Sequence, residues 1–154
     1  MGPAGLRVFR IAGAAYPVFA GEGARRYGGR WNTAGRPVIY CGDSFALAML
    51  EILVHTATGR DPRRDRWISA EIPDDGVEAL DPAALDGWDA DPPVASRHFG
   101  DRWLAEGRSL ALSVPSVVTR IDRNLVLNPA HPRFGEVAVG GERPVSWDRR
   151  LFAR

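Results

Sequence analysis

One acidic residue inside an apolar helical segment is the side chain best placed to do chemistry. Glu51 falls within FALAMLEILV, whose other residues are all apolar. A carboxylate in such a run is costly to bury unless it is paired, hydrogen-bonded or used. It could form a buried ion pair with one of the many arginines, or it could stabilise a positive charge that develops in a dry pocket. The helix alone favours neither interpretation.

A glycine-rich loop, GEGARRYGGRWN, precedes this helix and contains Gly28-Gly29-Arg30. Two consecutive glycines let the backbone approach a ligand closely, and an arginine beside them can bind two phosphate oxygens at once. The loop does not match the dinucleotide fingerprint, because Arg26 occupies the third glycine position and no strand immediately precedes it. Taken alone, the loop is better interpreted as a surface loop with an unrelated arginine.

Several kinds of site are excluded by residue types that the sequence lacks. All 20 basic residues are arginines, so neither a Walker A phosphate loop nor a Schiff-base lysine can form. Cys41 is the single cysteine, which excludes an intrachain disulfide and a cysteine-built zinc site. The histidines lack metal-ligand spacing, and Ser116 has no His and Asp in a triad arrangement. We therefore expect no metal site, and a hydrogen-bonding role for Ser116.

The composition is that of one ordinary globular domain. The 154 residues are 45% hydrophobic and 25% charged, with a formal net charge of +1. They can form a single core, but they offer no basic surface for nucleic acid. The N-terminal apolar run contains two arginines, unlike a signal peptide, and no stretch resembles a transmembrane helix. We expect a single domain over residues 1–154, located in the cytoplasm, without direct contact with nucleic acid or membrane.

The elements that must position these side chains follow from the hydrophobic pattern. It predicts strands over residues 6–12, 36–41, 67–72, 110–114, 124–127 and 145–152, and helices over residues 44–56 and 94–105. Asp43 is the expected N-cap of the first helix, which should be buried on most of its surface because it is apolar all round. Residues 14–29 and 73–93 should be loops. Strands and helices that are interspersed without βαβ spacing predict a mixed α+β domain.

Together these residues resemble the RES-domain family, the toxin half of Xre–RES toxin–antitoxin pairs. The similarity begins with Arg10 in the opening VFRI strand and continues through GEGARRYGGRWNTAGRPVIYCGDSFALAMLEILVH. It ends with VPS and then NLVLNPAHP, and spans nearly the whole chain in order. The run from GGRWN to LEILVH is its most specific part. The family's namesake Arg, Glu and Ser fall on Arg10 or Arg30, on Glu51 and on Ser116.

The resemblance implies a compact α+β fold similar to ADP-ribosyltransferase toxins, and an enzyme that degrades NAD+ by hydrolysis or phosphorolysis. A protein ADP-ribosyltransferase is the first alternative, and a non-catalytic module that binds a nucleotide or a partner is the second. NAD+ would be the substrate, and no cofactor is expected. The implied partner is a cognate Xre-type helix-turn-helix antitoxin that blocks the active site, with a toxin homodimer inside the complex.

The resemblance also implies roles for the acidic and basic residues. Cleavage of the nicotinamide–ribose bond passes through an oxocarbenium-like state, which one carboxylate near the anomeric carbon can stabilise. Glu51 is expected to be that catalytic carboxylate and to hold the ribose hydroxyls. Arg30 is expected as the second catalytic residue, binding the pyrophosphate together with Arg10.

Four polar or aromatic residues complete the expected substrate-binding set. Tyr40, at the end of a strand, is expected to stack on the nicotinamide or the ribose. Ser116 could orient either Glu51 or a substrate hydroxyl. The weaker candidates, both from the glycine-rich loop, are Tyr27 and Asn32.

Overall fold

The computed structural model describes residues 5–56, 59 and 61–152. They form three α-helices and a sheet of eight strands, which confirms the mixed α+β class. The helices are α1 (Glu22–Tyr27), α2 (Phe45–Thr56) and α3 (Val94–Glu106). The strands are β1 (Gly5–Ala12), β2 (Ile39–Gly42), β3 (Arg66–Pro73), β4 (Val77–Ala79), β5 (Ala111–Pro115), β6 (Arg123–Leu127), β7 (Ala138–Val139) and β8 (Arg143–Pro144).

The sheet has the strand order β4-β5-β6-β2-β1-β3-β7, and β8 also pairs with β3. The β4–β5 pair is parallel and the other pairs are antiparallel. In the β2–β6 register, Tyr40 lies opposite Val126 and Gly42 lies opposite Asn124. Since alternate residues of a strand share a face, these four residues lie on one face of the sheet. Both long helices pack on that face, which we call the helix face.

Two hydrophobic clusters attach the long helices to opposite ends of the helix face. Helix α2 packs over β1 and β3, where its Ala48 contacts a cluster that includes Ile11. Helix α3 packs over β5, β6 and β2 through Trp103 and Leu104, with Val126 beneath them. Helix α2 also contacts β2, so the ends of β2 and β6 that carry Gly42 and Asn124 lie beside α2. The other face of the sheet carries its own cluster, whose buried residues include Val8, Ile39, Cys41, Leu125 and Leu127.

Helix α2 differs in two ways from its prediction. Its N-cap is Ser44, whose Oγ accepts a hydrogen bond of 3.0 Å from the backbone N of Leu47. Asp43 instead accepts from the backbone N of Arg123, at 3.4 Å. The expectation that α2 is mostly buried was also wrong: Leu47 and Ala48 are its buried residues, because the helix contacts the sheet along one side only. Its exposed residues include Ala46, Leu50 and Val54.

The expected loop over residues 14–29 contains α1. Gly21 enters this helix with a left-handed φ of 71°, a conformation that glycine adopts without strain. Glu22 then pairs with Arg25 and Arg26, one turn further along. Such pairs stabilise a short helix, and they outweighed the glycine-rich composition.

The last predicted strand, over residues 145–152, was also wrong. Its second half forms a 3₁₀ turn, Arg149–Leu151, because the Asp148 side chain accepts a hydrogen bond from the backbone N of Arg150. Trp147 holds the segment to the domain by donating from Nε1 to the carbonyl of Pro62, at 3.0 Å. Residues 73–93 contain the unpredicted strand β4, which gains its hydrogen bonds from β5. Within the described residues, no helix is both long and apolar enough to cross a membrane.

Candidate active site

Two neutral donors hold the Glu51 carboxylate in the space between α2 and β6. Ser116 donates from Oγ to Oε1 of Glu51 at 3.0 Å, and Asn124 donates from Nδ2 to the same oxygen at 2.9 Å. In the described part of the chain, Oε2 has no hydrogen-bond partner and no arginine pairs with this carboxylate. The alternative of a buried ion pair is therefore not what the structure has. One oxygen fixes the carboxylate, and the other is free to face a ligand.

Ser116 follows β5 directly and is fully buried. Its hydroxyl makes all three hydrogen bonds that a serine hydroxyl can form. Its Oγ accepts hydrogen bonds of 3.2 Å from the backbone N of Val118 and of Thr119. A serine hydroxyl has one hydrogen to donate and two lone pairs to accept with. Since both lone pairs are used, the hydrogen points to Glu51. Of the two roles expected for Ser116, the geometry supports orienting Glu51 and leaves no capacity for a substrate hydroxyl.

Asn124 is a site residue that no sequence motif indicated. It lies at the start of β6 and opposite Gly42 of β2. A Cβ at Gly42 would lie 3.2 Å from the backbone N of Ala48 and 3.2 Å from the carbonyl O of Ser44. The absence of a side chain there lets the first turn of α2 approach the sheet, which brings Glu51 over Asn124. The sequence did contain one indication of this role, because Asn124 is a polar residue at a strand position that faces the core.

Arg30 lies in a loop, residues 28–32, that we call the arginine loop. Its Nη1 donates to the carbonyls of Trp88 and Ala90, at 3.3 and 2.9 Å. Arg97 of α3 fixes the loop backbone by donating from Nε to the carbonyl of Gly29, at 2.8 Å. Among the described residues, Nε and Nη2 of Arg30 have no hydrogen-bond partner. These two nitrogens form the edge of a guanidinium that can bind an anion in bidentate fashion.

The Tyr40 hydroxyl fixes the arginine loop by hydrogen bonds to its last two residues, Trp31 and Asn32. The Tyr40 hydroxyl donates to Oδ1 of Asn32 at 2.6 Å and accepts from the backbone N of Trp31 at 3.0 Å. Burial raises the pKa of Tyr40 well above its usual value. Asn32 is fully buried, and its Nδ2 donates to the carbonyls of Ala24 and Thr33. Both polar groups are thus engaged within the protein, which leaves the Tyr40 ring as the part that can stack on a ligand.

Among the described residues, neither Arg10 nor Tyr27 forms a hydrogen bond with the Glu51 carboxylate. Phe9 opposes Gly42 on the helix face, so the neighbouring Arg10 leaves the sheet on the opposite face. Its guanidinium donates to the carbonyls of Val18 and Tyr40, at 2.6 and 2.9 Å, and burial lowers the pKa of Arg10 below its usual value. Tyr27 is 76% exposed at the end of α1. Substrate contacts by these two residues stay predictions. Of the two candidate arginines, Arg30 is better suited to bind an anion, because its Nε and Nη2 have no partner among the described residues while Nε of Arg10 is already used.

Comparison with known proteins gives one consistent family. The model of the RES domain family matches residues 7–148. The Prs ADP-ribosylating toxin of Sphingobium sp. (strain YBL2) is 36% identical over 140 residues, which cover 88% of this chain and 87% of that protein. Toxin Res of Pseudomonas putida (strain KT2440) is 38% identical over 140 residues, which cover 90% of this chain and 95% of that protein.

A third relative is known both from its sequence and from a solved structure. The NAD(+) phosphorylase MbcT of Mycobacterium tuberculosis is 34% identical over 79 residues, which cover 51% of this chain and 42% of that protein. A chain of the crystal structure of the M. tuberculosis MbcT–MbcA toxin–antitoxin complex has the same fold, with a TM-score of 0.77 and 24% identity. The superposition covers 94% of this chain and 86% of that chain.

Proposed function

This chain belongs to the RES domain family, and we propose that it is the toxin of a toxin–antitoxin system that degrades NAD+ by cleaving the nicotinamide–ribose bond. The observation that carries the proposal is the Glu51 carboxylate, fixed through Oε1 by Ser116 and Asn124 and free at Oε2. The relative named NAD(+) phosphorylase supports NAD+ as the substrate.

The chemistry requires a single carboxylate at the reacting carbon. When the bond between ribose C1′ and the nicotinamide nitrogen breaks, its electron pair passes to the ring nitrogen and leaves positive charge on C1′ and the ribose oxygen. Oε2 of Glu51 can stabilise that charge. Nicotinamide departs as a neutral molecule, so no general acid is needed. Water or phosphate then forms a bond to C1′ through oxygen. An attacking water loses one of its two protons to solvent and keeps the other as the new hydroxyl.

Arg30 supplies the positive charge that the diphosphate of NAD+ requires. Two hydrogen bonds from Nη1 to backbone carbonyls fix the orientation of the guanidinium. The edge formed by Nε and Nη2 is therefore held in one orientation as well. A guanidinium edge matches two phosphate oxygens in geometry as well as in charge. In this account Arg30 binds the diphosphate, Glu51 acts at C1′, and the Tyr40 ring is available to stack on the nicotinamide or the ribose.

A protein side chain as the acceptor is the second candidate. The Sphingobium relative, which aligns over 88% of this chain, is named an ADP-ribosylating toxin. The same residues would serve that reaction, because only the nucleophile that attacks C1′ differs. A module that binds a nucleotide without cleaving it is the third candidate, and replacement of Glu51 distinguishes it from both enzymes.

A protein partner is also proposed for this chain. The structural neighbour is part of a toxin–antitoxin complex, which supports an antitoxin partner; we propose that it is a Xre-type helix-turn-helix protein that blocks the site, and that the toxin forms a homodimer within the complex. We place the activity in the cytoplasm, where NAD+ is available. NAD+ is the substrate, and we propose that no cofactor is needed.

The test is product analysis by mass spectrometry after incubation of the purified chain with NAD+. Release of nicotinamide is expected with each of the three acceptors: water, phosphate and a protein side chain. Free ADP-ribose identifies water as the acceptor, a phosphorylated ADP-ribose that requires added phosphate identifies phosphorolysis, and a mass increase on proteins of an added cell extract identifies ADP-ribosylation. An absence of nicotinamide under all three conditions would contradict the proposal.

A further inference from the structure

A short turn, residues 85–90, lies against the arginine loop, and we call it the bridging turn. Its backbone is closed by hydrogen bonds from Trp88 N to the Leu85 carbonyl at 3.3 Å and from Ala90 N to the Gly87 carbonyl at 3.1 Å. Leu85 and Trp88 pack against the hydrophobic cluster that includes Trp31 of the arginine loop. The two carbonyls that hold Nη1 of Arg30 belong to this turn.

Arg120 holds the bridging turn from its other side. It forms an ion pair with Asp89, and its guanidinium carbon lies 5.7 Å from the ring centroid of Trp88. The hydrogen bond from Arg120 keeps the pKa of Asp89 below its usual value. The Arg120 backbone has a φ of 66°, a left-handed conformation that is uncommon for residues other than glycine.

The backbone around Arg120 is fixed by the same turn that presents Ser116. Arg120 N donates to the carbonyl of Ser116 at 2.9 Å, and Ser116 N donates to the carbonyl of Asp122 at 2.9 Å. Arg120 therefore extends from a rigid turn, and its contacts with Asp89 and Trp88 tie that turn to the bridging turn. Arg30 joins the bridging turn to the arginine loop differently, by hydrogen bonds from Nη1 to two carbonyls of the turn.

We propose that Arg120 is a positioning residue for Arg30, and that it sets how tightly the site binds the diphosphate of a dinucleotide. This inference rests on the proposed function, in which Arg30 is the diphosphate ligand. By fixing Trp88 and Asp89, Arg120 holds in place the two carbonyls that orient Arg30. A guanidinium that is already oriented loses less rotamer freedom when it binds an anion, so it binds more tightly.

The experiment is calorimetric titration of ADP-ribose, which carries the diphosphate but lacks nicotinamide, into the purified protein. Arg120→Ala is expected to raise the Kd about three- to fivefold, the size of effect that a partly exposed ion pair can supply. Asp89→Asn removes the other member of the same ion pair and should raise the Kd by a similar factor. In turnover, Arg120→Ala should raise the KM for NAD+ by a similar factor and leave kcat within about twofold.

Arg108 provides a matched control, because it also combines an ion pair, with Glu78, and a position over an aromatic ring, that of Phe99. Arg108→Ala should leave the Kd unchanged. In an Arg30→Ala background, Arg120→Ala should have no further effect, because the residue that it positions is absent. A merely structural role for Arg120 would instead give the same loss with and without Arg30.

The inference is overturned by an unchanged Kd in Arg120→Ala, by additive effects with Arg30→Ala, or by a wild-type protein that does not bind ADP-ribose. Failure of the proposed catalysis gives a different result. In that case the wild type binds ADP-ribose, responds to Arg120→Ala as expected, and releases no nicotinamide from NAD+.

Discussion

Glu51 and Ser116 are 65 positions apart in the chain, and a hydrogen bond of 3.0 Å joins Oγ of the serine to Oε1 of the glutamate. The donor is fixed by its own surroundings, because its two lone pairs accept from the backbone amides of Val118 and Thr119. The hydroxyl that orients the carboxylate is therefore itself held in one orientation. In the proposed reaction, this arrangement keeps Oε2 directed towards the ribose.

Replacement of Ser116 by Ala should reduce both activity and stability. We expect kcat to fall about 10- to 100-fold, because the carboxylate loses the donor that orients it. The free energy of unfolding should fall by about 1–3 kcal/mol, since two partly buried amides lose their acceptor and Glu51 loses a donor. Steady-state kinetics and urea unfolding measure the two effects. Ser109→Ala is the control: Ser109 also links buried groups, Trp103 Nε1 and the Ala111 carbonyl, but should change stability only.

Replacement of Asn124 by Ala should reduce kcat about tenfold by the same reasoning. Because Asn124 and Ser116 act on one oxygen, the double variant should lose less activity than the product of the two single effects. A double-mutant cycle on kcat measures this coupling. Independent, multiplicative effects would mean that the two donors do not act through a shared orientation of Glu51.

Replacement of Gly100 by Ala should separate α3 from the arginine loop. A Cβ at this position would lie 1.7 Å from the carbonyl O of Trp31. This overlap can be relieved only if the backbone of α3 or that of the arginine loop moves. We expect the free energy of unfolding to fall by about 1–3 kcal/mol or more. Gly23→Ala is the control, because a Cβ there would have no neighbour within 4 Å. Equal stability of the two variants in denaturant titration would contradict the packing described.

The Cys41 thiol should be unreactive in the folded protein. It is buried, and burial raises its pKa to about 12, so at pH 8 a thiol reagent should modify it only after unfolding. The raised pKa stabilises the folded state below pH 9, the usual value, and that contribution is lost as the pH rises from 9 towards 12. Cys41→Ala should therefore lose stability less steeply over this range. Rapid labelling under native conditions would show that the thiol is accessible.

Local patterns in the sequence predicted most of the long elements, because hydrophobic periodicity reports on a helix or strand by itself. The strands that it missed or misplaced are short and depend on distant partners. Strand β4 exists because it pairs with β5, and β8 exists because it pairs with β3. Neither pairing is visible in the few residues that form it.

The site was predicted in the same uneven way. Glu51 was indicated by its place in an apolar helix and then, with Ser116, by the family resemblance. The contact between Asn124 and Glu51 depends on the β2–β6 register and on the close approach of α2 at Gly42. The partners of Arg30 lie 58 and 60 positions away, in a segment without periodicity. Such contacts depend on tertiary packing, which sequence spacing does not encode.

The most direct test of the central claim is the cellular NAD+ level after brief induction of the wild type and of Glu51→Gln, in cells without the antitoxin. Glutamine keeps the size of the side chain and an oxygen that Ser116 and Asn124 can contact, but it removes the negative charge that the developing cation requires. We predict that NAD+ collapses in the wild type and persists in Glu51→Gln, with both proteins folded. An equal loss of NAD+ in the two would contradict the role of Glu51, and unchanged NAD+ in the wild type would contradict NAD+ degradation.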